Sequence, residues 1–391
     1  MEIGIQGLRD PNGIAPMTGR ERVLAAIDHK PVDRMPIDLG VHYSTGISAF
    51  AYRDLRRYLG LAEKTIEVID PQQFLARVDE DVLERFHCDC ALLHPGFLRT
   101  SDWNPRGDYH FQVPKALSPV LQEDGSWTVT NGAPGVGLKM PKGGYFFDGT
   151  GFDLFEEEED ALLERYAREA ERLFKETGYF TMYIGYSGFH GDVSDYMCDM
   201  VADPESIHEQ NRKTLAWNLR HVGKVIDRMG KYIQGVAVGG DWGTQTGPFV
   251  RPSVYGEVCF PYLKEFCTFV HANSDFRIFN HSCGAVREFI PYFIDAGIDV
   301  LNPVQISAAG MEPEGLKRDF GDRISFWGGG CNTQTVLNLG TPEDVRRNVV
   351  ELTAAFKPGS GFVFNQVHNV MGDVAPANIV AMLDTAYANA F

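Results

Sequence analysis

Residues 276–284 read FRIFNHSCG, residues 286–297 read VREFIPYFIDAG, and residues 299–305 read DVLNPVQ. The first and last are short apolar runs of the kind that form buried strands, and the middle run carries its apolar residues at helical spacing. Strand, helix, strand is the unit of a parallel sheet with right-handed crossovers. Working outward, similar apolar runs occur at 35–40 (MPIDLG), 90–95 (CALLHP), 180–186 (FTMYIGY), 233–242 (IQGVAVGGDW), 324–331 (ISFWGGGC) and 362–368 (FVFNQVH). Amphipathic stretches separate most of them, as at 203–230, 252–271 and 341–356. Eight such units predict an α/β fold, a closed (β/α)8 TIM barrel. Thr18 and Glu21 read as the capping box of a helix that precedes the first strand. The interval 96–155, rich in Gly, Pro and aromatics, predicts an insertion between the second and third strands, crossing the barrel mouth. One domain is expected over 1–391. The acidic run 156–160 reads as the first turn of a helix, where carboxylates complement the helix dipole.

The chain has 391 residues, 44% of them hydrophobic, which suffices for a large core. No apolar run approaches the roughly 18 residues that span a bilayer. The start lacks a basic segment followed by an apolar one, so no secretory signal is expected and the cytoplasm is the default location. With 36 basic and 53 acidic residues the net charge is -17, which argues against nucleic acid and anionic membranes as partners. The seven cysteines, an odd number in a long chain, read as buried, catalytic or metal-bound rather than bridged.

Several predicted strands end on polar residues. They are His42 and Tyr43, His94, Asp241 with Gln245 beyond it, His281 and Cys283, Gln305, Cys331, and His368. The C-terminal strand ends of a (β/α)8 barrel build its active site. In His281-Ser-Cys283 the i and i+2 side chains of an extended chain share one face. Cys331 ends a strand two places further on, and alternate strands contribute to one layer of the barrel. One imidazole and two thiolates suit zinc, with a fourth position left for water or substrate. Gly328, Gly329 and Gly330 would let the backbone bring Cys331 close. His87, Cys88 and Cys90 also have metal-like spacing, but they fall at the wrong end of the second strand.

At these residues the sequence resembles the uroporphyrinogen decarboxylase superfamily, in its branch of zinc-dependent, corrinoid-linked methyltransferases. The similarity runs from MTGRERVLAAIDHKPVDRMPIDLG, through GDWGTQTGPFVRPSVYGEVCFPYLKEF and FNHSCGAVREFIPYFIDAGIDVLNPVQ, to FWGGGCNTQTVLNLGTPEDVRRNV and FNQVHNVMGDVAPANIVAML. The decarboxylases carry arginines just after the first barrel strand to grip an acidic substrate. Residues 38–43 here read DLGVHY, with none, which counts against porphyrinogen decarboxylation. The resemblance implies zinc on His281, Cys283 and a later cysteine, for which Cys331 is the candidate. It implies a corrinoid supplied by a partner protein, because the chain has Phe279 where a corrinoid-binding motif needs Asp.

The expected reaction moves a methyl group between a small methylated substrate and the corrinoid protein, with O-demethylation of an aromatic methyl ether as the leading case. Methylation of a thiol by methylcobalamin and decarboxylation are the alternatives. Asp241 is the expected general acid or anchor and His368 a second catalytic residue. His42, Tyr43, Gln245, Gln305 and Asn332 are expected to bind substrate. Members of the superfamily are often dimers, and no motif here specifies one.

Overall fold

The computed structural model describes residues 14–130, 137–149, 155, 157–185 and 193–391. Six parallel strands lie side by side in chain order: Met182–Ile184, Gly235–Gly239, Arg277–His281, Val300–Asn302, Ser325–Trp327 and Phe362–Val363. Their registers place Val236 beside Tyr183, His281 between Gly239 and Asn302, and Phe326 beside Phe362. Two further segments complete the circle of eight. Ile37 bridges Phe364 in parallel, and Cys90 bridges Phe180 in parallel. Between these two segments the Asp89 N–H donates to the Ile37 carbonyl at 2.7 Å. The expected barrel is therefore present, although its first two strands shrink to bridges.

The barrel interior is a layer of side chains from alternate positions: Cys90, Phe180, Met182, Ala237, Phe279, Val300, Trp327 and Val363. Trp327 sits at its centre, with ring centroids 5.5 Å from Phe279 and 5.6 Å from Phe180. Its indole N–H donates to the buried Asp38 carboxylate at 2.9 Å. Burial pushes the Asp38 carboxyl up to about 6. Val23 and Ile27 of the Gly19–Ile27 helix close the layer from one side. That helix starts with the capping box read from the sequence: Thr18 Oγ1 accepts from Glu21 N–H, and the Glu21 carboxylate accepts from Thr18 N–H.

Two small sheets, one mixed and one antiparallel, lie outside the barrel. One sheet has the order Leu75–Ala76, Ile66–Asp70, Phe111–Pro114, Thr100–Trp103, with the Ile66–Asp70 and Phe111–Pro114 pair parallel. The other is a meander of Val120–Leu121, Trp127–Val129, Leu138–Met140 and Asp148–Gly149. The excursion thus recruits chain from 66 onward, earlier than residue 96. The alternating pattern of IEVID (66–70) is the signal that the apolar-run reading passed over. Phe74, Trp103, Phe111 and Phe147 pack this sheet with centroids 5.0 to 6.3 Å apart.

The weakly paired part of the barrel is braced by buried charge. Asp89 accepts from both guanidinium nitrogens of Arg34 at 2.8 Å, from Ile37 N–H at 2.8 Å, and from Arg22. Arg22 also pairs with Asp33 at 2.6 Å. Breaking a buried pair by removing one partner leaves an uncompensated charge. Asp89→Ala is therefore expected to lower unfolding free energy by about 3–5 kcal/mol. A shift in the urea midpoint reads this, and an unchanged midpoint would show that the network contributes nothing to closure.

Candidate metal centre and cavity

His281 is the last residue of its strand. Its Nδ1 lies 2.8 Å from Asn302 Oδ1. The Asn302 amide nitrogen donates to the Trp327 carbonyl at 3.0 Å, which fixes its oxygen toward His281. Ser44 Oγ donates to the same oxygen at 2.7 Å. The imidazole therefore carries its proton on Nδ1 and presents Nε2 as a lone pair. Cys283 Sγ lies 3.5 Å from that Nε2. After Cys283 the chain turns at Gly284, where φ is +87 and a Cβ would meet the Gly243 carbonyl oxygen at 2.1 Å. Only glycine fits that approach.

Two links hold the His281–Gly284 segment. Cys283 N–H donates to Asp241 Oδ1 at 2.8 Å, and Gly284 N–H donates to Gln305 Oε1 at 2.8 Å. The Gln305 amide donates to Gln245 Oε1 at 2.8 Å, and Gln245 donates to the Ser307 carbonyl.

His368 follows the last strand in a left-handed conformation with φ +65, and its ring lies 5.6 Å from that of His281. One ligand atom each of His281, Cys283 and His368 falls within 4.8 Å of the other two. Among the described residues this is the one such cluster of three or more metal-ligating side chains. His42 stacks on His281 at 5.8 Å and packs on Phe279 at 4.9 Å.

Burial, with His281 beside it, lowers His368 to about 4. Burial, then His281 and His368, holds His42 well below the usual imidazole range. Both rings are neutral near pH 7. Burial, then the Asp241 carboxylate, raises the Cys283 thiol. A half-buried thiol beside two imidazoles is a donor set that a divalent cation completes, since the cation supplies the charge that favours the thiolate. Two nitrogens and one sulfur fit zinc with a fourth position open.

The structure corrects the third ligand. Cys331 was expected at the end of a strand, but the strand stops at Trp327. Gly328 and Gly329 have φ of +102 and +77 and turn the chain. Cys331 then runs beside the last strand's loop, its carbonyl accepting from Val367 N–H at 2.9 Å. Its side chain is fully buried in the hydrophobic core, and burial pushes its thiol up to about 12. It is outside the cluster, and His368 occupies the third place.

A cavity of about 770 Å³ opens beside the cluster. His42, Tyr43, Asp241 and His281 are among its lining residues. Gln245, Gln305 and His368 are not among its described lining residues; the two glutamines brace the metal loop instead. Asn332 is not there either. Its Oδ1 accepts from Gln334 and Thr335 N–H and caps the turn Thr333–Leu337. The lining also holds side chains that the sequence reading missed: Phe155, Tyr166, Tyr183, Trp217, His221 and the carboxylates Glu157 and Glu159. No lysine or arginine is among the described lining residues. Of the acidic run, Glu159 and Asp160 lie in the first turn of the helix Glu159–Glu176, with Glu158 as its N-cap residue and residue 156 outside the described residues; Glu159 also reaches this wall.

An eight-stranded barrel with a nitrogen and sulfur cluster and a cavity at its C-terminal strand ends defines a class: a barrel enzyme with its site built from strand-end loops. The sequence model of uroporphyrinogen decarboxylase (URO-D) matches residues 181–388, more than half of the chain. The chain belongs to the uroporphyrinogen decarboxylase family. The uroporphyrinogen decarboxylase of Hahella chejuensis is 24% identical over 384 residues, covering 94% of this chain and 96% of that one. That of Thioalkalivibrio sulfidiphilus is 22% identical, covering 94% and 97%. A solved methyltransferase from Methanosarcina mazei shares the fold, with a TM-score of 0.58, 12% identity, and coverage of 95% of this chain and 99% of that one.

Zinc content by elemental analysis distinguishes the two ligand sets. Cys283→Ser and His368→Ala are expected to lose zinc, and Cys331→Ser to keep it. Because the Cys283 thiol must give up its proton, zinc affinity is expected to strengthen by about tenfold per pH unit between about pH 6 and 8. Competition against a chromophoric chelator measures this slope. A flat profile would exclude the thiol as a ligand.

Proposed function

We propose that the protein is a zinc-dependent methyltransferase that moves a methyl group between a small methylated substrate and a corrinoid protein, with an aromatic methyl ether as the preferred donor. The observation that carries this reading is the His281, Cys283 and His368 cluster, whose His281 lines an aromatic-walled cavity with no cationic side chain among its described lining residues. A porphyrinogen bearing several carboxylates would need basic partners, and the cavity offers Asp241, Glu157 and Glu159 instead. This disfavours the activity for which the curated relatives are named.

When bound, zinc supplies Lewis acidity, and one thiolate in place of two leaves that acidity stronger and better matched to an oxygen leaving group. The chain's own residues set the geometry. Asn302 and Ser44 hold the His281 ring, and Asp241 fixes the backbone at Cys283. About half of the Asp241 side chain is exposed, so its second oxygen is available to orient a substrate. Tyr43 and His42 supply the apolar and aromatic surface beside it. The lining aromatics exclude water from the reacting oxygen and match a flat substrate. A corrinoid protein docked transiently at the strand ends would supply the methyl acceptor or donor there.

The test incubates the zinc-loaded protein with anisole-type ethers and a Co(I) corrinoid protein, following the methyl-Co(III) spectrum. Wild type is expected to turn over. Cys283→Ser is expected to lose at least about 100-fold, and Asp241→Asn about 10–100-fold with zinc retained. Methyl transfer that proceeds without any corrinoid, or turnover of uroporphyrinogen, would refute the reading.

A further inference from the structure

The far wall of the cavity carries a connected set of polar groups with no part in holding the metal. Met182 and Ile184 face the barrel interior, so the strand turns Tyr183 outward to the helix layer. There the Tyr183 hydroxyl lies 2.9 Å from His221 Nε2, on the helix Pro204–Met229. His221 Nδ1 lies 2.5 Å from a Glu159 carboxylate oxygen, at the start of the helix Glu159–Glu176. Lys224 holds the other Glu159 oxygen. Trp217 stacks flat on the His221 ring at 4.5 Å and 12°.

Exposure rises along this set. Tyr183 is 4% exposed, the His221 side chain 6%, and the Glu159 side chain 40%. Tyr183, His221 and Glu159 all line the cavity. Tyr166, whose ring lies 5.1 Å from that of Tyr183, lines the same cavity as Tyr43 and His42. A carboxylate, an imidazole and a hydroxyl in sequence are the parts by which a proton is passed to or from a bound molecule. A helix cap explains Glu159 alone, but not the buried imidazole and phenol behind it.

We propose that Glu159, His221 and Tyr183 form a proton relay between solvent and the cavity, serving the oxygen of the substrate. The proposal rests on the methyl-ether reading above. Transfer of the methyl group breaks the O–CH3 bond and leaves the bonding pair on oxygen, while Co(I) becomes methyl-Co(III). The oxygen then needs one proton. Tyr183 O–H gives it, protonated His221 restores the tyrosine through Nε2–H, and solvent reprotonates the ring beside Glu159. In the opposite direction a substrate hydroxyl loses its proton to Tyr183 as the tyrosine proton moves to His221. Tyr183 is the catalytic residue of this relay, and His221 and Glu159 position and charge it. Among the described residues, the titratable groups facing it include Tyr166, Tyr43, Lys224 and Asp160, the last paired with Lys224 and Arg228.

The test needs neither corrinoid nor turnover. In the full-length Cys283→Ser protein, which removes a metal ligand, binding of 4-nitrophenol is followed at the phenolate absorbance from pH 5 to 9. The bound phenol is expected to ionise about one pH unit lower than in Cys283→Ser/Tyr183→Phe or Cys283→Ser/His221→Asn, because only the intact relay accepts its proton. Glu159→Gln, at the exposed end, gives the same comparison if a buried variant fails to fold. Coincident titrations, or no binding of 4-nitrophenol, would overturn the relay. A separation of the curves without methyl-Co(III) from any ether would keep the relay and refute the methyl-transfer reading. Methyl transfer with coincident curves would do the reverse.

Discussion

The structure depends on closing a barrel across a seam that has little sheet in it. Ile37 and Cys90 make single bridges to their neighbours, whereas the other six strands pair over two to five residues. Few ladder bonds mean little cohesion, so closure rests on other contacts. Asp89 supplies them: its N–H donates to the Ile37 carbonyl, and its carboxylate accepts from Ile37 N–H while it neutralises Arg34 and Arg22. On the same segment Asp38 accepts the indole proton of Trp327, the largest side chain of the inner layer. Polar groups with full partners thus hold where backbone pairing is thin.

The candidate site lies at this seam. His42 follows the first bridging segment, His368 follows the last strand, and His281 reaches them from the other half of the ring. The excursion outside the barrel is tied to the same place. Asn369, next to His368, donates to the Tyr43 carbonyl and to Gln73 of the outer sheet region, both at 2.8 Å. A loop that would otherwise be short and left-handed is thereby clamped from two sides. The geometry of three imidazoles is the product of closure, not of any one local motif.

Much of this was legible in the sequence because it is periodic. Apolar runs of strand length alternating with helical stretches gave the barrel, and His281-x-Cys283 gave two donors on one face. The third donor differs from the expected Cys331 because the strand ends at Trp327, four residues short of the apolar run, where Gly328 and Gly329 turn the chain at positive φ. His368 was singled out as catalytic, yet nothing in FNQVH shows that its ring meets His281. Gln245 and Gln305 were read as substrate contacts, and they instead brace the backbone of the metal loop. Glu159, His221 and Tyr183 come from three distant elements and have no spacing to betray them. Pattern reveals elements, while a site assembled between elements needs coordinates.

The position of His368 has a consequence for how the molecule endures. A cation shared by His281, Cys283 and His368 would stitch the fifth strand of the ring to the loop beyond the eighth, across the interior and beside the seam. It would act as a staple as well as a reagent, since a ligand that binds only the folded form shifts the folding equilibrium by mass action. Chain ends and seams are where barrels first open to proteases. Stripping the metal would then shorten the lifetime of the protein as well as stop its chemistry, coupling the supply of the ion to the abundance of the enzyme.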